Sequence, residues 1–202
     1  MNIIDVHTHN PEADDAIISC NPWEFAPKAG KLYSVGIHPW DSDDIDDEKI
    51  NCLRTAATHE SVIAIGECGI DALRGATIER QVSLAQLHAE LAERLRKPLI
   101  LHCVRTGNYI INLHRRIRPL QPWIIHGFRG TSGLATSLLA CQGIYLSFGE
   151  RFNPQALDVT PVSRLLVETD TSSAAIADIA AKIAAQKHCT VQELYANKIL
   201  ES

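Results

Sequence analysis

A compact (β/α)8 barrel of the TIM type with reduced early helices is the fold that this 202-residue chain predicts. Three observations point to it. Short apolar runs rich in branched residues recur eight times along the chain. Helical patterns fill most of the later gaps between them. The runs themselves are near-continuously apolar rather than alternating, as strands are when both faces of a parallel sheet are buried. Barrels of this kind usually take about 250 residues, so this one is small. The competing architecture is a doubly wound open sheet, but no glycine-rich phosphate loop follows the first strand, where that fold normally carries one. The length suits a single domain over 1–202, and no internal repeat, low-complexity stretch or linker divides it.

In order, the predicted strands are 2–6, 16–20, 32–37, 62–66, 99–102, 123–126, 144–147 and 165–168. The interval 9–16 is too short for a crossover helix, and 21–31 holds at most a turn or two. Residues 46–60 read as a short helix. Residues 77–96 place Leu84, Leu87, Leu91 and Leu95 on one stripe at three- and four-residue spacing, closed by Pro98. Shorter helices are expected at 107–117 and 132–141. An alanine-rich helix follows at 174–187, and Thr190 with Glu193 forms a capping box for a final helix.

Composition narrows the function classes. Apolar residues make up 46% and charged residues 21%, with a formal net charge of −5, so there is no overall basic footprint for nucleic acid. A nucleic-acid substrate would have to be attracted by local arginines or bound cations. Six cysteines are scattered without a CxxC pair, which excludes a disulfide framework or a zinc ribbon. The first residues run straight into a strand without a charged leader and apolar core, and no apolar stretch approaches membrane-spanning length. A cytoplasmic protein with free thiols, no membrane association and no obligate protein partner is expected.

The chemistry lies in where histidines and acids fall. His7 and His9 follow the first strand, Glu67 the fourth, and Asp170 the eighth; His102 and His126 end the fifth and sixth. Strand C-terminal ends are where barrel enzymes assemble their sites. In Asp5-Val6-His7-Thr8-His9, alternate residues share a face of an extended chain, so two imidazoles make half of a divalent-metal site and Asp5 stands to orient one of them. Alone, such a pair is a weak signal that more often marks two partly exposed polar residues at a strand end. Glu67 lies between Gly66 and Gly69, and its two carboxylate oxygens can bridge two cations, which an imidazole cannot do. Asp71 can equally accept backbone hydrogen bonds within its loop. A single histidine closing an apolar strand is more often a satisfied core residue; His102 and His126 on successive strands beside Glu67 favour ligation. Asp170 can bind a cation and accept a proton from water. The remaining helical histidines, His59, His88, His114 and His188, read as surface or packing residues.

These segments resemble the TatD family of metal-dependent deoxyribonucleases, among the amidohydrolase-like barrels. The matching motifs are Asp-Val-His-Thr-His (5–9), Val-Gly-Ile-His-Pro (35–39), Gly-Glu-Cys-Gly-Ile-Asp (66–71), Leu-His-Cys (101–103), His-Gly-Phe-Arg-Gly (126–130), Ser-Phe-Gly (147–149) and Glu-Thr-Asp (168–170). The resemblance implies two divalent ions, one among His7, His9 and Asp170, the other at His102 and His126, with Glu67 bridging. Zinc, manganese, magnesium, nickel and iron all suit such donors. It further implies a deoxyribonuclease trimming single strands from the 3′ end, with Glu67 and Asp170 catalytic and His38 near the substrate phosphate. Arg105 and Arg129 are further candidates to hold phosphate, with Arg74 and Arg151 as exposed alternatives. The segment between His9 and His38 is shorter than the family's usual one, and Thr171-Ser172-Ser173 runs directly into a helix. Two other readings are a hydrolase of a small amide, lactone or phosphoester, and a non-catalytic metal-binding relative. Glu67 stands where many amide-cleaving relatives place a carboxylated lysine, which favours the phosphoester.

Overall fold

The computed structural model describes residues 3–200, with residues 197 and 198 by backbone alone. Eight parallel strands close on themselves in sequence order: β1 (Asp5–Thr8), β2 (Ala16–Cys20), β3 (Leu32–Val35), β4 (Val62–Asp71), β5 (Leu99–Val104), β6 (Trp123–Ile125), β7 (Ile144–Phe148) and β8 (Leu165–Val167). All eight predicted runs are strands; of the first, residue 2 lies outside the described residues. The helices are α1 (Asp47–Ala56), α2 (Ile78–Leu95), α3 (Gly107–Ile117), α4 (Ser132–Leu139), α5 (Pro154–Val159), α6 (Ile176–Lys187) and α7 (Asn197–Leu200). No helix joins β1 to β2, and a single 3-10 turn at Pro22–Glu24 joins β2 to β3. The early half is as lean as the sequence indicates.

Local signals set most helix ends. Asp46, Thr77 and Thr131 each accept a backbone N–H with the side chain at the start of α1, α2 and α4. The capping box of Thr190 and Glu193 forms, but it opens a 3-10 turn, Val191–Leu194, rather than the expected helix. Helix α5, six residues beginning at Pro154, has no predicted counterpart because it is too short to display a period.

The strand period divides the interior into two layers. On β5, β6 and β8, Ile100, Ile124 and Leu166 point into the barrel and meet Val6, Ile17 and Ala64 in an inner apolar plug. Their neighbours Leu99, Leu101, Trp123, Ile125, Leu165 and Val167 point outward and pack beneath the helices. Two residues beyond each plug residue, the same inward face is occupied by His102, His126 and Glu168. Polar groups therefore sit directly on a dry floor at the C-terminal mouth.

Strand β4 differs most from expectation. It runs to Asp71, five residues past the predicted end at Gly66, and β5 extends with it to Val104. Gly66 and Gly69 look like turn residues in the sequence, but here they let the two backbones close up. Gly69 has φ +141, and a Cβ there would run into the carbonyl of His102. Glu67 is accordingly a mid-strand residue, braced on both sides, rather than a loop residue after the strand.

Candidate metal centre

Glu67 is the hub. Its side chain is buried, and each carboxylate oxygen faces a different set of imidazoles. Oε2 lies 3.2 Å from His7 Nε2 and 3.4 Å from His9 Nε2. Oε1 lies 2.6 Å from His126 Nε2, 2.8 Å from His102 Nδ1 and 3.1 Å from His38 Nε2. Asp170 Oδ1 approaches the first set, 3.7 Å from His9 and 3.9 Å from His7. The six residues singled out by strand-end position thus converge. Four triads among the cluster, including His7–His9–Asp170 and His38–Glu67–His102, present ligand atoms within 4.8 Å of one another.

The electrostatics favour a cation. His7 is fully buried and neither of its ring nitrogens has a hydrogen-bond partner; the 3.2 Å approach to Glu67 is close enough for an ion pair but off the line a hydrogen bond needs. A buried imidazole left so is rare and demands an explanation, and a role as a metal ligand supplies one. Burial, aided by His126, lowers the His7 pKa, keeping the ring neutral with a lone pair to donate. Burial also opposes charge on His126, yet Glu67 and Glu168 outweigh it and raise its pKa well above the ordinary imidazole value. Burial works against Glu67 in turn, and the facing imidazoles, His126 foremost, hold its carboxyl well below the usual range. A divalent ion entering here competes with the proton on His126 for the same nitrogen. The residues present fit the implied metals.

A ring of supporting contacts fixes the cluster. Glu168, fully buried, accepts from Gly127 N at 2.6 Å and faces His126 Nδ1 at 3.4 Å. Asp71 Oδ2 meets His102 Nε2 at 3.1 Å and accepts the Trp40 indole N–H at 2.7 Å, while its Oδ1 accepts Leu73 N at 2.8 Å. Asp5 orients no imidazole. It takes the hydroxyl of Thr169 at 2.6 Å, the Thr169 backbone N–H at 3.0 Å and the His7 backbone N–H at 3.4 Å, and burial pushes its pKa up to about 6. Thr169, Glu168 and Trp40 were not among the predicted site residues. For Glu168 the signal was available: it lies two residues after inward Leu166.

The other candidates separate. His38 lines the cavity at the barrel mouth, about 560 Å³, with His9, Glu67, His102, His126 and Asp170. Arg129 and Arg151 line a second cavity of about 240 Å³ that reaches Asp170 from the β8 side. Arg105 is exposed at φ +57 and lines neither cavity. Arg74 is exposed too, its guanidinium 4.5 Å from the centre of the Trp40 ring. Among the described residues, no helix is long and apolar enough to cross a membrane.

An eight-stranded parallel barrel with a histidine–carboxylate cluster able to hold divalent metal at its C-terminal mouth defines a class of barrel proteins built for metal-dependent chemistry. Within that class, the family described as TatD related DNase matches residues 19–198, and the chain belongs to it. It is 32% identical over 176 residues to the 3′-5′ ssDNA/RNA exonuclease TatD of Cronobacter turicensis, covering 79% of this chain and 64% of that protein. The TatD exonuclease of Pantoea ananatis is 33% identical over 156 residues, covering 68% of this chain and 56% of its own. The chain thus spans less than two thirds of the length of these curated relatives. Its fold is like that of YJJV, a TatD homolog from Escherichia coli K12, with a TM-score of 0.82 at 22% identity over 98% of this chain and 95% of that one.

Proposed function

We propose that this protein is a dinuclear metal-dependent phosphodiesterase that trims single-stranded DNA from the 3′ end. The observation that carries the reading is the division of labour at Glu67, whose two oxygens each face a different set of imidazoles. That is the arrangement a bridging ligand needs. On this reading His7, His9 and Asp170 would hold one ion and His102 and His126 the other, with Glu67 shared between them. Divalent ions bound there supply Lewis acidity toward a phosphoryl oxygen and make water a stronger acid.

The chain's own groups do the rest. Asp170, 23% exposed, is the ligand carboxylate that solvent reaches, so it takes the proton from the attacking water. Its backbone is held on both sides, its N–H donating to His7 O at 2.9 Å and its carbonyl accepting from His9 N at 3.0 Å. His38 faces the same cavity, and because its Nδ1 accepts from Trp40 N, its Nε2–H is the donor it can offer to a phosphate oxygen. Arg129 receives the flanking phosphate in the neighbouring cavity. The apolar plug beneath keeps water out of the floor and strengthens each of these interactions.

The experiment is a metal titration followed by digestion. Calorimetry on chelator-stripped protein with Mn²⁺ or Zn²⁺ is expected to find two sites, and the loaded protein to shorten a 5′-labelled single-stranded oligonucleotide stepwise. Glu67→Ala is expected to lose both the second site and the turnover. Digestion surviving at the parental rate rejects the bridge; a loaded parent that leaves oligonucleotides intact but cleaves an amide or lactone rejects the substrate.

A further inference from the structure

The sequence His38-Pro39-Trp40-Asp41 builds a short 3-10 turn, Pro39–Asp41, at the edge of the cavity at the barrel mouth. It leaves a large aromatic ring in solvent: Trp40 is 47% exposed although it touches the site. Its ring centre lies 4.7 Å from that of His38 and 6.0 Å from that of His102. An exposed indole is ordinarily a loose surface residue. This one is fastened. Its indole N–H donates to Asp71 and its backbone N–H to His38 Nδ1 at 3.2 Å.

The loop opposite is fastened as well. Residues 72–77 leave β4 and carry Arg74, whose guanidinium lies over the indole. Buried Gln81 of α2 gathers that loop from below, donating to the carbonyls of Asp71, Arg74 and Ala76 and accepting from Asp71 N at 2.7 Å. Ser42 ties the turn to the loop, donating to Pro39 O and accepting from Ala76 N at 2.9 Å. Gly75, at φ +83, lets the two backbones touch, since a Cβ there would strike Pro39 O. Such bracing holds Trp40 and Arg74 in place while both stay open to solvent, an investment that packing alone does not require.

We propose that Trp40 with Arg74 is a stacking platform for the nucleobase of the nucleotide whose phosphate enters the metal centre, an inference that rests on the phosphodiesterase reading above. An indole face and a guanidinium plane both stack on any base without reading its identity. The platform lies beside His38 and His102, so phosphate and base of one nucleotide are held together. It follows that the protein prefers nucleotides to sugar phosphates and tolerates all four bases.

Binding of thymidine 5′-monophosphate and of 2-deoxyribose 5-phosphate to Mn²⁺-loaded protein, by calorimetry and tryptophan fluorescence, tests this. The parent is expected to bind the nucleotide at least tenfold tighter than the sugar phosphate, with quenching. Trp40→Leu is expected to bring that ratio close to one, while Trp40→Phe retains most of it. Both variants lose the bond to Asp71 and only the second keeps a ring, so the pair isolates stacking from any disturbance of the metal centre. Equal affinities in the parent, or a ratio unchanged in Trp40→Leu, overturn the platform. If the parent then still shortens oligonucleotides, the phosphodiesterase reading stands without it; if it neither binds the nucleotide nor digests DNA, both fall.

Discussion

His88 links the acid stability of the barrel to its active face. The ring is fully buried on α2, and its Nε2 accepts the backbone N–H of Ile37 at 2.9 Å. The proton of the neutral ring is therefore on Nδ1, which donates to Leu84 O at 2.7 Å. Protonating Nε2 would put a charge in an apolar layer and point a donor at a donor. Burial accordingly pushes the pKa down to about 4 from the ordinary 6.5. Above pH 6.5 the ring is neutral folded or unfolded, and its contribution is intact. As pH falls from 6.5 toward 4 the unfolded chain takes up a proton that the folded one refuses, and stability is lost. The gap between 6.5 and about 4, at 1.36 kcal/mol per pH unit, comes to about 3 kcal/mol. Urea unfolding of metal-stripped parent and His88→Gln, from pH 7.5 to 4, measures it. Glutamine can accept from Ile37 and donate to Leu84 but cannot titrate, so the parent is expected to lose about 3 kcal/mol more than the variant over that range. The carboxylates and ligand histidines titrate in both and cancel. Superimposable pH profiles would refute the reasoning, as would an NMR titration placing the His88 pKa near 6.5.

Further outcomes follow from the same contacts. Gly69→Ala forces a side chain into left-handed backbone against the His102 carbonyl; we expect about 2–4 kcal/mol of destabilisation in urea unfolding and weaker metal binding, because His102 must move. Glu168→Gln keeps an acceptor for Gly127 but removes the charge behind His126, and calorimetry is expected to find metal affinity reduced roughly 10- to 100-fold with the fold intact by circular dichroism.

Much of this architecture could be read from the residues in order. The strands were visible because most are near-continuous apolar runs rich in branched residues, and the six metal-competent side chains because they recur at equivalent places on those runs. Other features depend on which strands become neighbours. Gly66 and Gly69 look like punctuation until β5 is beside them, when they become the reason β4 can continue to Asp71. Asp5 shares a strand with His7 but finds its partner, Thr169, at the other end of the chain. Trp40 gave no signal at all: a tryptophan after His-Pro gains meaning only when Asp71 and Arg74 come to meet it.

The join between β1 and β8 has a consequence for how the ring stays shut. The two strands pair in register only at Asp5 and Val167, with an isolated bridge from Thr8 to Asp170. On the proposed assignment, one cation is shared by His7 and His9 on the first strand and Asp170 beyond the last. It then acts as a buckle across the thinnest seam of the barrel, so removing it would loosen the hoop itself as well as silence the chemistry.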